Sequence, residues 1–257
     1  MKAIILCAGQ GRRLLPMTEG IPKCLLPVGG RSILEWQLRG LASADIQDVT
    51  LVTGFEAEKV EAAIRTIAPP GMRVRTALNP FFSVSENIGS CFLVRDLLQA
   101  SDTVLLNGDT LFEPSVLHRL LASPPAPVTV TIDRKAAYDT DDMKVSVDGT
   151  RLRAIGKTLP ASETNGESIG VLRFLGDGGG IFAAGLEAAL RRPEGFRRWY
   201  LSVIHDLAQT GAVQVASIEG HSWAEVDYPA DLATADAVVR SWGPAAPALA
   251  GERAVTG

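Results

Sequence analysis

Cysteine and histidine are both scarce in this chain, with three of each. Cys7, Cys24 and Cys91 are too few and too scattered for a disulfide framework or a zinc site, and His118, His205 and His221 show no metal-ligand spacing. Cys7 and Cys24 stand in apolar company, which marks them as small core residues. Long hydrophobic runs are missing too. The opening run, Ala3 to Ala8, is too short for a secretory leader or a membrane span and is ended by Gly9, so the cytoplasm is the default expectation and no membrane partner is expected. Nor is positive charge in excess. Lys and Arg number 25 against 29 Asp and Glu, a net charge of −4, which supplies no overall field for nucleic acid. Any anionic partner must therefore be met by a local cluster of cations. What remains is a chain of 257 residues, 46% hydrophobic and 21% charged, enough for one large α/β domain or one with a small appended lobe.

The apolar pattern gives the order of elements. Ala3-Ile4-Ile5-Leu6 reads as a buried parallel strand that runs into a glycine-rich turn. Leu34, Leu38 and Leu41 predict a helix over about 31–43, and Val49 to Thr53 a second strand. Val60, Ile64 and Ile67 predict a helix stopped by Pro69-Pro70-Gly71. A strand near Val74, a helix over about 88–99 and the strand Thr103–Leu106 follow, the last leading into Asn107-Gly108-Asp109. This alternation predicts a doubly wound, mostly parallel sheet. From 128 to 174 the pattern changes to strands with polar loops, at about 128–132, 143–147, 152–155 and 168–174, with an Asp148-Gly149 turn signal. These are expected to form a small antiparallel lobe, about 133–180, over the carboxyl ends of the parallel strands. Helices over about 182–192 and 196–210, a strand at 213–217 and a helix over about 231–242 complete a single domain, 1–242. The Ala/Pro/Gly-rich stretch 243–257 reads as a disordered tail.

Gly9-Gln10-Gly11-Arg12-Arg13 falls at the carboxyl end of the first strand, where open α/β sheets hold their ligands. Glycines let backbone approach a phosphate, and guanidinium groups add charge and paired hydrogen bonds. The pattern is not a P-loop, since no Gly-Lys-Ser/Thr follows. Neither is it the dinucleotide fingerprint, because Leu14 stands at the third glycine position. On its own it is equally a turn with exposed arginines. Further on, Lys23 lies between Pro22 and Pro27 in an apolar segment, a stiff setting for a lysine. Asp109 follows a strand, a position that most often serves a turn or a cap, and Asp227 lies far away in Trp223-Ala224-Glu225-Val226-Asp227. Two aspartates from separate loops suit magnesium, which takes a few carboxylate oxygens with phosphates and waters.

Residues 3–29, with their apolar strand, Ala-Gly-x-Gly, Arg-Leu pair, Pro-Met-Thr and Pro-Lys followed by Leu-x-Pro-Val, resemble the signature of the sugar-nucleotidyltransferase superfamily. The resemblance runs from residue 2 to about 240 and implies a Rossmann-like nucleotidyltransferase fold. It implies a nucleotide-binding set of Leu6, Ala8, Gly9, Gly11, Arg12, Asn87 and Ser90, with Arg12 standing where the family often has Ser or Thr. Arg13 and Lys23 become the catalytic cations, and Asp109 and Asp227 the Mg2+ ligands, with Glu225 behind them and Asp231 capping the last helix. Lys157 and Glu167 become contacts to the acceptor. Asn79-Pro80 through Asn87 and Ser90 looks like the branch that includes phosphocholine and inositol-phosphate cytidylyltransferases, although Glu86 and Gly89 depart from its pattern.

The expected activity is Mg2+-dependent transfer of CMP from CTP to a phosphorylated small alcohol, phosphocholine-like, with release of pyrophosphate. The rivals are a sugar-1-phosphate nucleotidyltransferase using UTP, dTTP or GTP, a phosphonate cytidylyltransferase, and a non-catalytic nucleotide-binding regulator. The regulator should have lost the lysine or the aspartates, and this chain keeps all three. Trp199, Tyr200 and Trp223 either line a cage for a quaternary ammonium or pack the core.

Overall fold

The structure, a computed structural model, describes residues 1–242, so the tail expected over 243–257 lies outside the described residues. The chain begins β1 (Lys2–Cys7), β2 (Pro27–Val28), β3 (Arg31–Ser32), α1 (Ile33–Ser43), β4 (Asp48–Thr53), α2 (Ala57–Ile67) and β5 (Arg73–Leu78). It continues with α3 (Asn87–Leu93), α4 (Arg95–Ala100), β6 (Thr103–Asn107), β7 (Thr110–Phe112), α5 (Pro114–Ala122) and β8 (Val128–Asp133). The remainder is β9 (Lys144–Asp148), β10 (Arg151–Ile155), β11 (Gly166–Phe174), α6 (Gly178–Leu190), α7 (Leu201–Gln209), β12 (Val213–Ser217), β13 (Trp223–Glu225) and α8 (Pro229–Ser241).

Nine strands form one sheet in the order β5-β4-β1-β6-β11-β8-β12-β10-β9. The first four are parallel, β11 runs antiparallel between β6 and β8, and β9 and β10 form an antiparallel pair at the far edge. The result is a Rossmann-like α/β fold whose antiparallel strands extend the parallel sheet. Two small antiparallel pairs, β2 with β3 and β7 with β13, flank it. No helix of the described residues is long and apolar enough to cross a membrane.

Period-two alternation explains why both faces are covered. Along β1, Ile4 enters one core, with Ile88, Phe182 and Val203 from α3, α6 and α7 and Tyr200 just before α7. Ala3, Ile5 and Cys7 enter the other, with Leu34, Leu38, Val60 and Leu117 from α1, α2 and α5. A third cluster joins Leu14, Leu26, Val28, Leu111, Val226 and Val239, and so ties the glycine turn to β7 and α8. Arg173 on β11 is only 2% exposed. Its guanidinium donates to the carbonyls of Leu120, Leu121, Ser123 and Pro124, closing the carboxyl end of α5.

Several elements differ from expectation. α5 is an additional helix: Pro114 starts it at the first turn, where a missing N–H costs nothing, instead of breaking the chain. The helix expected over 88–99 is two, interrupted at Val94, where Arg95 turns back to the carbonyl of Phe92 at 2.9 Å. Asp231 does cap α8, but from inside the helix, its carboxylate accepting from the amides of Asp227 and Tyr228 at 2.8 and 2.7 Å.

Candidate active site

β1 delivers the chain to the cleft at Ala8, and the glycine turn then doubles back. Gly11 adopts a left-handed backbone (φ 73°), and a Cβ there would stand 3.0 Å from the Lys23 side chain. Glycine is thus required twice, by the turn and by the lysine stem lying against it. Thr18 Oγ1 donates to the Gly11 carbonyl at 2.8 Å, and buried Leu14 anchors the following turn, which projects Arg12 and Arg13.

Lys23 sits on a short turn, Lys23–Leu25, directly after Pro22. Asp109 comes from the β6–β7 turn. That turn is pressed so closely on β1 that a Cβ at Gly108 would lie 2.3 Å from the Leu6 carbonyl. Buried Gln37 holds it from α1, donating to the carbonyls of Asn107 and Thr110 at 2.6 and 2.8 Å. Asp227 follows β13, which pairs with β7, and Val226 N donates to Asp109 O at 3.2 Å. Two loops more than a hundred residues apart are therefore joined by backbone.

The Lys23 ammonium stands 2.7 Å from Asp109 Oδ2 and 2.5 Å from Asp227 Oδ1, and Arg13 lies 3.1 Å from Asp227 Oδ2. Burial pulls the lysine pKa down, but Asp109 and Asp227, by charge and hydrogen bond, outweigh it and hold the group above its ordinary range. Glu225 joins them: carboxylate oxygens of Asp109, Glu225 and Asp227 lie within 4.8 Å of one another. Much of its side chain faces the open cleft, yet the surrounding walls still cost the charge its hydration. Burial first, then Asp109 and Asp227, push it up to about 8. Asp109 Oδ1 is buried and has no hydrogen-bond partner among the described residues. Three hard oxygen donors, one of them an unsatisfied buried atom, fit a divalent cation of the magnesium type.

These groups line a cleft of about 480 Å³. Leu6, Ala8, Gly9, Gly11, Arg12, Arg13, Lys23, Asn87, Ser90, Asp109, Lys157 and Asp227 all face it. Glu167 does not. It is buried beneath the wall with Lys135 Nζ 3.0 Å away, while Ser168 and Gly170, on the alternate face of β11, line the cleft. Burial pushes the Glu167 carboxyl up to about 7, and the neighbouring Asp142 adds to the rise, against the pull of Lys135.

The polar atoms of Asn87 and Ser90 are partly committed to the fold. Asn87 Oδ1 accepts from the Tyr200 amide at 2.9 Å, and Ser90 Oγ accepts from Asn79 Nδ2 at 3.0 Å. The three aromatic residues part company. Trp199 lines the cleft, 41% exposed; Tyr200 is fully buried and donates to Asn107; Trp223 donates to Asp133 at 2.8 Å. Lys157 Nζ stands 5.0 Å over the Trp199 ring and 3.6 Å from Asp141. Asp141 and Tyr228 are residues that sequence reasoning missed. Each is a loop residue without periodic spacing: Asp141 stands between Thr140 and Asp142, and Tyr228 directly follows Asp227.

With the glycine turn and Asp109 at the carboxyl ends of the parallel strands β1 and β6, and with Lys23, Glu225 and Asp227 brought beside them, the chain belongs to the MobA-like NTP transferase domain family, whose model matches residues 3–140. Over 252 residues it is 34% identical to CMP-5'-(3-aminopropyl)phosphonate synthase of Streptomyces rubellomurinus, covering 92% of this chain and 38% of that protein. Over 232 residues it is 23% identical to the bifunctional IPC transferase and DIPP synthase of Aquifex aeolicus, covering 90% of this chain and 50% of that one. The chain thus spans half or less of the length of these relatives. Its fold is similar to that of the inositol-1-phosphate CTP transferase from T. maritima, with a TM-score of 0.79, 21% identity, and coverage of 94% of this chain and 95% of that one.

Proposed function

We propose that the chain is a magnesium-dependent cytidylyltransferase, which moves CMP from CTP to a small acceptor bearing a phosphate or phosphonate and releases pyrophosphate. The observation that carries this reading is the meeting of Lys23, Asp109 and Asp227 beside the glycine turn. The phosphonate alternative gains weight from the Streptomyces relative, whose name specifies a CMP-activated aminoalkylphosphonate.

No protein nucleophile is needed, since the acceptor's oxyanion is already ionised. It attacks the α-phosphorus; the new P–O bond forms as the bond to the bridging oxygen breaks, and the electron pair leaves with pyrophosphate. Gly9 and Gly11 let the backbone approach the triphosphate. Arg13 and Lys23 neutralise its charge, and Lys23 has one N–H left after its two aspartate bonds to reach a phosphate oxygen. Lys157 holds the acceptor's anionic group. Mg2+ held by Asp109, Asp227 and Glu225 would supply further charge neutralisation on the phosphates.

The test is pyrophosphate release by the purified chain with Mg2+ and each of CTP, UTP, dTTP and GTP, against phosphocholine, inositol-1-phosphate, glucose-1-phosphate and an aminoalkylphosphonate. CTP should be preferred with a phospho-alcohol or phosphonate. Preference for another triphosphate with glucose-1-phosphate would replace this reading by the sugar one.

A further inference from the structure

At the Lys157 end of the cleft the cations face a carboxylate of the protein's own, Asp141. Irregular backbone runs from Arg134 to Met143, between β8 and β9. Its foot is pinned, with Lys135 Nζ 2.8 Å from Asp142 and 3.0 Å from Glu167, and with Asp139 Oδ1 accepting from the amides of Asp141 and Asp142 at 2.8 and 3.1 Å. The Asp141 carboxylate turns the other way, into the cleft, with its side chain 50% exposed. Three donor groups converge on it. The Tyr228 hydroxyl donates at 2.8 Å, the Lys157 ammonium lies at 3.6 Å and the Arg13 guanidinium at 4.0 Å. Tyr228 is itself fixed, its oxygen accepting from Arg13 at 3.2 Å and its ring 5.1 Å from that guanidinium.

Two cations and a phenol around one oxyanion are the donor set of a phosphoryl or phosphonyl subsite. A carboxylate uses it incompletely, with two oxygens and one charge, and both of its ion pairs are longer than a good charge-assisted bond. A tetrahedral dianion offers three oxygens and more charge to the same donors.

We propose that Asp141 is a placeholder for the acceptor's phosphate or phosphonate, and that Tyr228, Lys157 and Arg13 form the subsite from which that group displaces it. Calling the anion the acceptor rests on the nucleotidyl-transfer reading; the subsite itself rests on the donors. Asp141 thereby sets selectivity, because a neutral or weakly anionic head cannot win the donors from the carboxylate, whereas a dianion can. Displacement needs one half-exposed side chain to turn toward solvent, the foot of the loop staying pinned.

Calorimetric titration of the full chain with inorganic phosphate tests this, beside the KM of whichever acceptor supports turnover. Asp141→Asn should bind phosphate more tightly and lower the acceptor KM, each by about two- to fivefold, the scale of one competing exposed ion pair. Tyr228→Phe should weaken phosphate binding, and Lys157→Met added to Asp141→Asn should cancel the gain. Thermal melting of each variant separates misfolding from loss of the subsite. A raised acceptor KM or a lowered kcat in Asp141→Asn would show Asp141 touching the acceptor directly, through an amine for example, and would overturn the placeholder role, as would phosphate binding that does not respond. If no triphosphate is turned over while phosphate binding still follows this pattern, the cytidylyl-transfer reading fails and the subsite stands.

Discussion

The Lys23 end of the cleft and the Lys157 end hold their cations in contrasting ways. Lys23 is 13% exposed in its side chain, stiffened by Pro22 and fixed at 2.7 and 2.5 Å by two carboxylates whose loops hydrogen-bond to each other. Lys157 is 22% exposed, pairs at 3.6 Å with a half-exposed Asp141 and otherwise leans on the Trp199 face. The parallel strands and the β7–β13 pair set the first arrangement, and an irregular loop sets the second. Charge that must be aligned with a reacting phosphorus belongs on rigid elements, while groups that sort acceptors can stand on loops. In the proposed reaction the lysine at each end therefore has a different use.

Substitution should separate those uses. Lys23→Ala should lower kcat by at least about 10³-fold, the scale of losing a preorganised charge at the developing anion, in a protein that still folds and melts cooperatively. Lys157→Ala should act mainly on binding, raising the acceptor KM by about tenfold or more, as befits a charge-assisted contact to the ground state. If both substitutions lowered kcat equally, the division of labour would be wrong.

A smaller effect should come from behind the Lys23 end. Glu113, just after β7, binds Ser115, His221 and Ser222, with His221 Nδ1 at 2.7 Å, and so ties the strand carrying Asp109's turn to the segment entering β13. Burial alone would raise its carboxyl, but the Ser115, His221 and Ser222 contacts hold it down from 4.5 to about 2. A depressed acid stabilises the fold fully above its unfolded value and loses that contribution as pH falls from about 4.5 through 2. Glu113→Gln should therefore cost on the order of 1–2 kcal/mol at neutral pH once solvent screening is allowed for, and little at pH 2. Urea unfolding at both pH values reads the difference. An equal cost at both would assign the loss to packing.

The same contrast governs what the sequence made legible. β1, the glycine turn and the Pro22-Lys23 segment are local patterns, and the order of the longer strands and helices through β6 follows from periodicity, apart from the short β2–β3 pair and the break at Val94. Asp109 and Asp227 became partners only by resemblance, since nothing local says that β7 and β13 pair; three residues apiece are too short for a strand signal. The helix beginning at Pro114 was not among the expected elements. The antiparallel strands were visible, yet their insertion of β11 between β6 and β8 is a long-range pairing that periodicity does not encode. Glu167 shows the limit at a single residue. One step along β11 turns a side chain from the cleft to a buried position against Lys135, and the next residue, Ser168, faces the cleft in its stead. Asp141 and Tyr228 lie on loops, where no period applies.

The most direct measurement is anomalous diffraction from crystals of the chain grown with Mn2+ and CTP. The account predicts an ion at about 2.0–2.3 Å from oxygens of both Asp109 and Asp227, the range for small divalent cations, with the triphosphate beside Lys23 and the glycine turn. An ion bound away from these two aspartates, or a triphosphate lying elsewhere in the cleft, would contradict it.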